Sequence, residues 1–357
     1  MNSSPTHIPV RPEWLATTQE EALDPGLPVV DSHHHLYDRP DTRYLLDDIL
    51  RDLGAGHDVR ATIFVQARAM LRADGPAIER PIGETEFANG IAAMSASGQY
   101  GPTRLCAGIV GYADLMLGDA IRPVLEQHIA VAGGAAAGGG RFRGVRQPLT
   151  WDPDASLMNP VYPLDEHMTD SAGFRAGFAQ LAPLQLSFEA WVFFHQLSRV
   201  AALAHAFPDT RIVVNHCGGV LGIASYKGRR DEVFQTWRSG LARLARCPNV
   251  MIKLSGLGMR LGGFGFESAP QAPSSTTLAA AWRPWIQTCL ETFGAARCMY
   301  GSNFPVDKGS YAHGVGLNAL KRLTQEASPT ERDDIFWRSA SDFYRLPVAC
   351  VGARAVH

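Results

Sequence analysis

Eight short apolar runs, each followed by a stretch with helical spacing, limit what this chain can fold into more than any other feature. The runs are VVDSHHHLY (29–37), VRATIFVQA (59–67), RLCAGIVGYADL (104–115), FRGVRQPL (142–149), LQLSFEAWVFF (184–194), RIVVNHCGG (211–219), VMIKLSGL (250–257) and RCMYGSNFP (297–305). Between them, 45–57, 84–97, 119–132, 171–182, 197–207, 229–246 and 276–293 read as helices, and the chain after 305 reads as helical to about Tyr344. Near-continuous Val/Ile/Leu runs suit parallel strands covered on both faces. Strict alternation repeated this often predicts an α/β chain closed as a (β/α)8 TIM barrel with long βα loops. An open doubly wound sheet would need a glycine-rich first turn, and three consecutive histidines stand there instead.

Around that barrel (28–345) the sequence predicts an extended Pro-rich arm at 1–27 and a tail at 346–357. GGAAAGGG (133–140) reads as a flexible connection; it has neither the Lys-Ser/Thr ending of a P-loop nor the spaced glycines of a dinucleotide fingerprint. A formal charge of −2 gives no basic footprint for nucleic acid. No apolar run reaches membrane-spanning length and no signal-peptide pattern opens the chain. Six scattered cysteines without framework spacing read as reduced thiols, the pattern of a cytoplasmic protein. Pairing of the barrel's outer helices into a homodimer is a further expectation.

In such a barrel the strand ends meet at one mouth, where the chemistry sits. Alternation along the first strand puts His33 and His35 on one face and His34 on the other, and two imidazoles a pleat apart can grip one ion such as Zn²⁺. Further strand-end groups are Gln66 and Arg68, Arg146 and Gln147, His195, His216, Lys253 and Ser255, and Asn303. Several admit two readings. His195 either joins the site or caps the next helix, and His216 either joins it or holds a tight turn. Arg146 either binds a substrate carboxylate bidentately or forms a buried salt bridge. Lys253, inside an apolar strand, needs a carboxylate partner or an anionic ligand. Glu189, in phase with Trp191, Phe193 and His195, is either an acid–base group or a partner for Lys253 or an arginine. The Trp-rich segment 282–285 reads as core.

DSHHHLYD, FRGVRQ, FFHQL, IVVNHCGG, NVMIKLSGL and MYGSNFPVD together resemble the amidohydrolase superfamily, in particular its branch of sugar-lactone and pyrone-dicarboxylate lactonases, from about residue 28 to 345. The resemblance implies that His33, His35 and His216 lie in the active site and bind metal, with His195 joining them. It also implies at most one ion, zinc or manganese, because the bridging lysine of binuclear members is missing. The branch includes members that act without metal. One departure stands out: the family's eighth strand ends in Gly-Ser-Asp-x-Pro, its aspartate taking the proton of the attacking water, and this chain has Asn303. An amide is neither a base near neutral pH nor a strong ligand. Asp307, four residues on, is the candidate substitute.

The resulting expectation is a hydrolase opening a lactone or related ester of a small carboxylated substrate. Arg146, Lys253, Gln66 and Arg68 would bind substrate; His33, His35 and His216 would hold the ion or polarise the carbonyl; Asp307 or His195 would deprotonate water. Two alternatives accompany it: a metal-dependent decarboxylase, and a barrel that binds ligand without hydrolysis because of Asn303.

Overall fold

The computed structural model of the protein describes residues 7–134 and 140–347. Residues 135–139 of the glycine-rich connection, and the tail beyond 347 with Cys350, lie outside the described residues.

An eight-stranded parallel sheet runs in sequence order: β1 (Pro28–His34), β2 (Asp58–Val65), β3 (Arg104–Gly111), β4 (Phe142–Val145), β5 (Ser187–Ala190), β6 (Ile212–Val214), β7 (Val250–Leu254) and β8 (Cys298–Tyr300). The ring closes just past β8. Asn303 N–H donates to His33 O at 2.8 Å and His35 N–H to Phe304 O at 2.8 Å. The Asp31 carboxylate accepts from Ser302 N at 2.8 Å and Ser302 Oγ at 2.6 Å, so a buried anion laces the first strand to the last. The fold is the expected α/β (β/α)8 barrel.

The strands are shorter than the apolar runs that announce them; β5 keeps four residues of 184–194. A ladder lasts only while the neighbouring strand continues, so apolar residues beyond it leave the sheet and line the loops. Helices follow the expected spacing, from Ile82–Ala96 to Ser275–Phe293. The latter starts where Ser274 Oγ accepts from Thr277 N, and it buries Trp282 and Trp285, with Trp285 4.8 Å from the ring of Trp237. The Trp-rich segment is therefore core. Among the described residues no helix is long and apolar enough to cross a membrane.

The arm, expected to be extended, holds a short helix, Pro12–Leu15, and is tied down. Trp14 Nε1 donates to Ala269 O at 2.9 Å, Ala272 N to Thr17 Oγ1 at 3.0 Å, and Ser275 N to Glu20 Oε1 at 2.7 Å. Lys321 Nζ reaches Leu23 O at 2.7 Å and Asp24 O at 2.9 Å. These bonds bind the arm along the helix Ser275–Phe293 and its neighbour His313–Leu323.

Candidate active site

At the carboxyl ends of the strands lies a cleft of about 980 Å³, with His35, Arg146, Trp191, His216 and Asn303 among its lining residues. The alternation of β1 works as the sequence implies. His33 and His35 face one way with ring centroids 4.9 Å apart, while His34 turns to Thr62 Oγ1, 2.8 Å from its Nε2. His216 joins from beyond β6, its ring 4.5 Å from that of His33. So the three imidazoles predicted to meet do meet.

His33 is held between two cations. Its Nδ1 lies 3.2 Å from Lys253 Nζ, and its Nε2 lies 3.2 Å from an Arg146 guanidinium nitrogen. Lysine and arginine only donate, so the one lone pair of a neutral His33 is spent on a cation. Glu189 pairs with Lys253 at 2.7 Å and lies 3.9 Å from His33 Nδ1, so Lys253 is balanced while Arg146 is not. On the cleft side Asn303 supplies an amide, and the Asp307 carboxylate accepts from Asn303 Nδ2 (2.7 Å), Tyr311 OH (2.8 Å) and Gly258 N (3.0 Å). A divalent ion here would meet neutral imidazoles beside the Arg146 guanidinium, while the one nearby carboxylate, Glu189, is already spent on Lys253. Among the described residues no group of three His, Cys, Asp or Glu is arranged to hold a metal. As arranged, His33, His35 and His216 do not fit the expected zinc or manganese ion, because the lone pair of His33 faces a cation.

The remaining polar groups sort by which side of the cleft floor they occupy. His35 Nδ1 lies 2.7 Å from Val65 O. A carbonyl accepts only, so Nδ1 carries the proton and Nε2 keeps its lone pair. His216 Nδ1 meets Ser255 Oγ at 3.0 Å, and the Trp191 ring stands edge-on at 4.7 Å. Burial drives the pKa of all three histidines well below 6.5; Lys253 adds to this for His33, and Arg146 for His35 and His216. They are neutral at pH 7. Arg146 is buried, donates to Gln66 O, and has an Nε with no hydrogen-bond partner. Among the described residues it forms no ion pair with a carboxylate. A buried guanidinium left in that state is a place for a ligand oxygen bearing negative charge.

Three expected site residues lie elsewhere. Lys253 is fully buried beneath His33, bonded to both Glu189 oxygens (2.8 and 2.7 Å) and Ser32 O (2.7 Å), so it is a scaffold cation that does not reach the cleft. Glu189 is that partner, and also accepts from Asn215 Nδ2 at 2.7 Å and from Tyr344 OH. Its burial makes it structural, which settles the choice left open for both residues. His195 pairs with Asp152 at 2.9 Å, beside Tyr226 OH on the same carboxylate oxygen (2.8 Å), outside the cleft lining. Asp307 stands behind Asn303; burial raises its pKa to about 7, and its role is to aim the Asn303 amide so that Oδ1, not Nδ2, faces away from it. Neither His195 nor Asp307 is placed to take a proton from water in the cleft. Arg68 lines the cleft, donates to Val161 O at 2.7 Å and lies 5.3 Å from the Tyr162 ring; Gln66 lies behind, 3.4 Å from Tyr162 OH.

Arg68, His216 and Asn303 all hold left-handed backbone, with φ of 56°, 53° and 56°. Such conformations cost about 1–2 kcal/mol each for non-glycine residues and gather at sites where a side chain must be aimed. Sequence reasoning missed Tyr162, which reaches the cleft from an irregular loop. Trp191 was legible through its parity with Phe193, and both line the cleft.

A parallel (β/α)8 barrel with polar groups converging past its strand ends has the architecture of a barrel enzyme. More particularly, the chain belongs to the amidohydrolase family: the family model "Amidohydrolase" matches residues 30–346. The uncharacterized protein y4mH of Sinorhizobium fredii is 31% identical over 266 residues, covering 74% of this chain and 76% of its own. An L-fucono-1,5-lactonase of Burkholderia multivorans is 26% identical over 336 residues, covering 89% and 96%. An amidohydrolase of Burkholderia multivorans crystallised with HEPES superposes with a TM-score of 0.68 at 25% identity, over 89% of this chain and 99% of that one. A second crystal form, with bound zinc, gives a TM-score of 0.67 at 24% identity over the same shares.

Proposed function

We propose that the protein opens a lactone or related ester bond of a small carboxylated substrate, using its own side chains as base and electrophile. The observation that carries this reading is the shared cleft floor, where a His35 Nε2 lone pair stands near a buried Arg146 guanidinium without a carboxylate partner. The likeness to L-fucono-1,5-lactonases supports the choice of a lactone.

In this reading the Arg146 guanidinium receives the substrate carbonyl oxygen and stabilises the oxyanion as water adds to the carbon. His35 Nε2 takes the proton lost by that water, and Asn303 Oδ1 accepts the water's other hydrogen and so orients it. The tetrahedral intermediate collapses by breaking the bond from carbon to ring oxygen. The imidazolium proton then passes to the departing alkoxide, giving the hydroxy acid. Arg68 and Arg39 at the rim supply positive charge for a substrate carboxylate.

A panel of five- and six-membered lactones, with acid release followed by a pH indicator, tests the function. Arg146→Met should lower kcat/KM by roughly 10²–10³-fold, as removal of one oxyanion donor does. Carbon dioxide release from carboxylated aromatics with no lactone opening would overturn the reading, as would an unaffected Arg146→Met enzyme.

A further inference from the structure

The arm reaches the mouth of the barrel although it precedes the stretch matched by the family, which starts at residue 30. From its anchors at Trp14, Thr17 and Glu20 it runs back to the turn after β8, where Ile8 is buried against Gly309. The fit is close enough that a Cβ on Gly309 would stand 2.4 Å from Ile8 O and 2.6 Å from Ile8 Cβ. One residue further, His7 enters the lining of the same cleft as His35, Arg146 and Asn303. Its Nε2 lies 3.4 Å from Tyr37 OH, with the two rings edge to face at 6.2 Å. Arg39 lies 4.3 Å from the other partner of that contact, the Tyr37 ring, and spends a guanidinium hydrogen on Ala67 O.

We propose that His7, delivered by the arm, is a specificity residue of this site: with Tyr37 it hydrogen-bonds a hydroxyl on the part of the substrate remote from the scissile ester. This rests on the lactone reading above and deepens it, pointing to a hydroxylated lactone. Two neutral groups that both donate and accept suit a hydroxyl, which does the same. Burial first, and the Arg39 charge second, press the His7 pKa down to about 4, so the imidazole is neutral at pH 7. Because a different segment from those bearing the reacting groups supplies it, recognition is separate from chemistry.

The test compares a six-carbon aldonolactone bearing hydroxyls with unsubstituted δ-valerolactone, in the full-length protein. His7→Ala should lower the ratio of kcat/KM for the hydroxylated over the plain lactone about tenfold, the loss of one neutral hydrogen bond. The change should fall on KM, and His7→Gln should recover part of it. Gly309→Ala, which keeps the His7 side chain but pushes Ile8 and with it the neighbouring His7 away, should lower the same ratio. Calorimetric titration with the ring-opened hydroxy acid gives a readout independent of turnover, and His7→Ala should weaken Kd about tenfold. Should the wild-type protein turn over neither lactone, the hydrolase reading falls while the titration still decides His7. An unchanged ratio, or equal Kd for wild type and His7→Ala, overturns the inference.

Discussion

Replacing Lys253 with methionine probes the charged layer under the site without reference to substrate. The ammonium touches both Glu189 oxygens, Ser32 O and His33 Nδ1, all within 3.2 Å and wholly buried. Methionine fills similar volume but leaves Glu189 as a buried carboxylate, still bonded to Asn215 and Tyr344 yet with no countercharge. Breaking one side of a buried pair costs about 3–5 kcal/mol, whereas replacing both partners by neutral groups of similar size is often nearly neutral. Lys253→Met is therefore expected to lose about 3–5 kcal/mol, and Lys253→Met/Glu189→Gln to recover most of it. The assay is urea unfolding followed by tryptophan fluorescence on wild type, both single variants and the double, read as a double-mutant cycle. A single-variant cost under about 1 kcal/mol, or a coupling energy near zero, would mean that Glu189 and Lys253 do not depend on each other as argued.

Two other perturbations follow from contacts at the cleft floor. Gly256 has φ +74°, and a Cβ there would lie 2.4 Å from His216 Cβ and 2.7 Å from its Nδ1. Gly256→Ala should displace the imidazole and lower kcat/KM about 10²-fold, with the protein still folded by circular dichroism; full activity would show that His216 need not sit where it does. Asn303→Asp puts a second carboxyl against Asp307, whose pKa burial already raises from 3.8 to about 7. A carboxyl whose folded pKa is raised contributes stability that is full below about pH 4 and lost as pH rises through the folded value. The variant should accordingly be at least ~2 kcal/mol less stable than wild type at pH 8, with the gap narrowing at pH 5. Equal gaps at the two pH values in urea unfolding would refute the like-charge argument.

How legible was this protein? Along β1 the period of two placed His33 and His35 together and His34 opposite, because a pleat leaves no other choice. The apolar parity of β5 and β7 likewise put Glu189 and Lys253 inside the barrel, and burial then required that each find a partner. Asp307 and His195 misled for the opposite reason: both follow strand ends, yet each turns away to a local bond network in an irregular segment, Asn303–Tyr311–Gly258 for one and Asp152–Tyr226 for the other. Nothing in their spacing encodes that rotation.

Strand count, alternation and the shared face of His33 and His35 were thus fixed by periodic burial, a property that each segment carries in its own residues. Which nitrogen keeps a lone pair, that Arg146 and Lys253 crowd His33 where an ion was expected, and that His7 arrives from the far end of the chain were decided only in three dimensions. Those outcomes depend on distances between segments as far apart in the chain as Ile8 and Gly309, and hydrogen bonds and charges act through such distances whatever the order of residues along the chain.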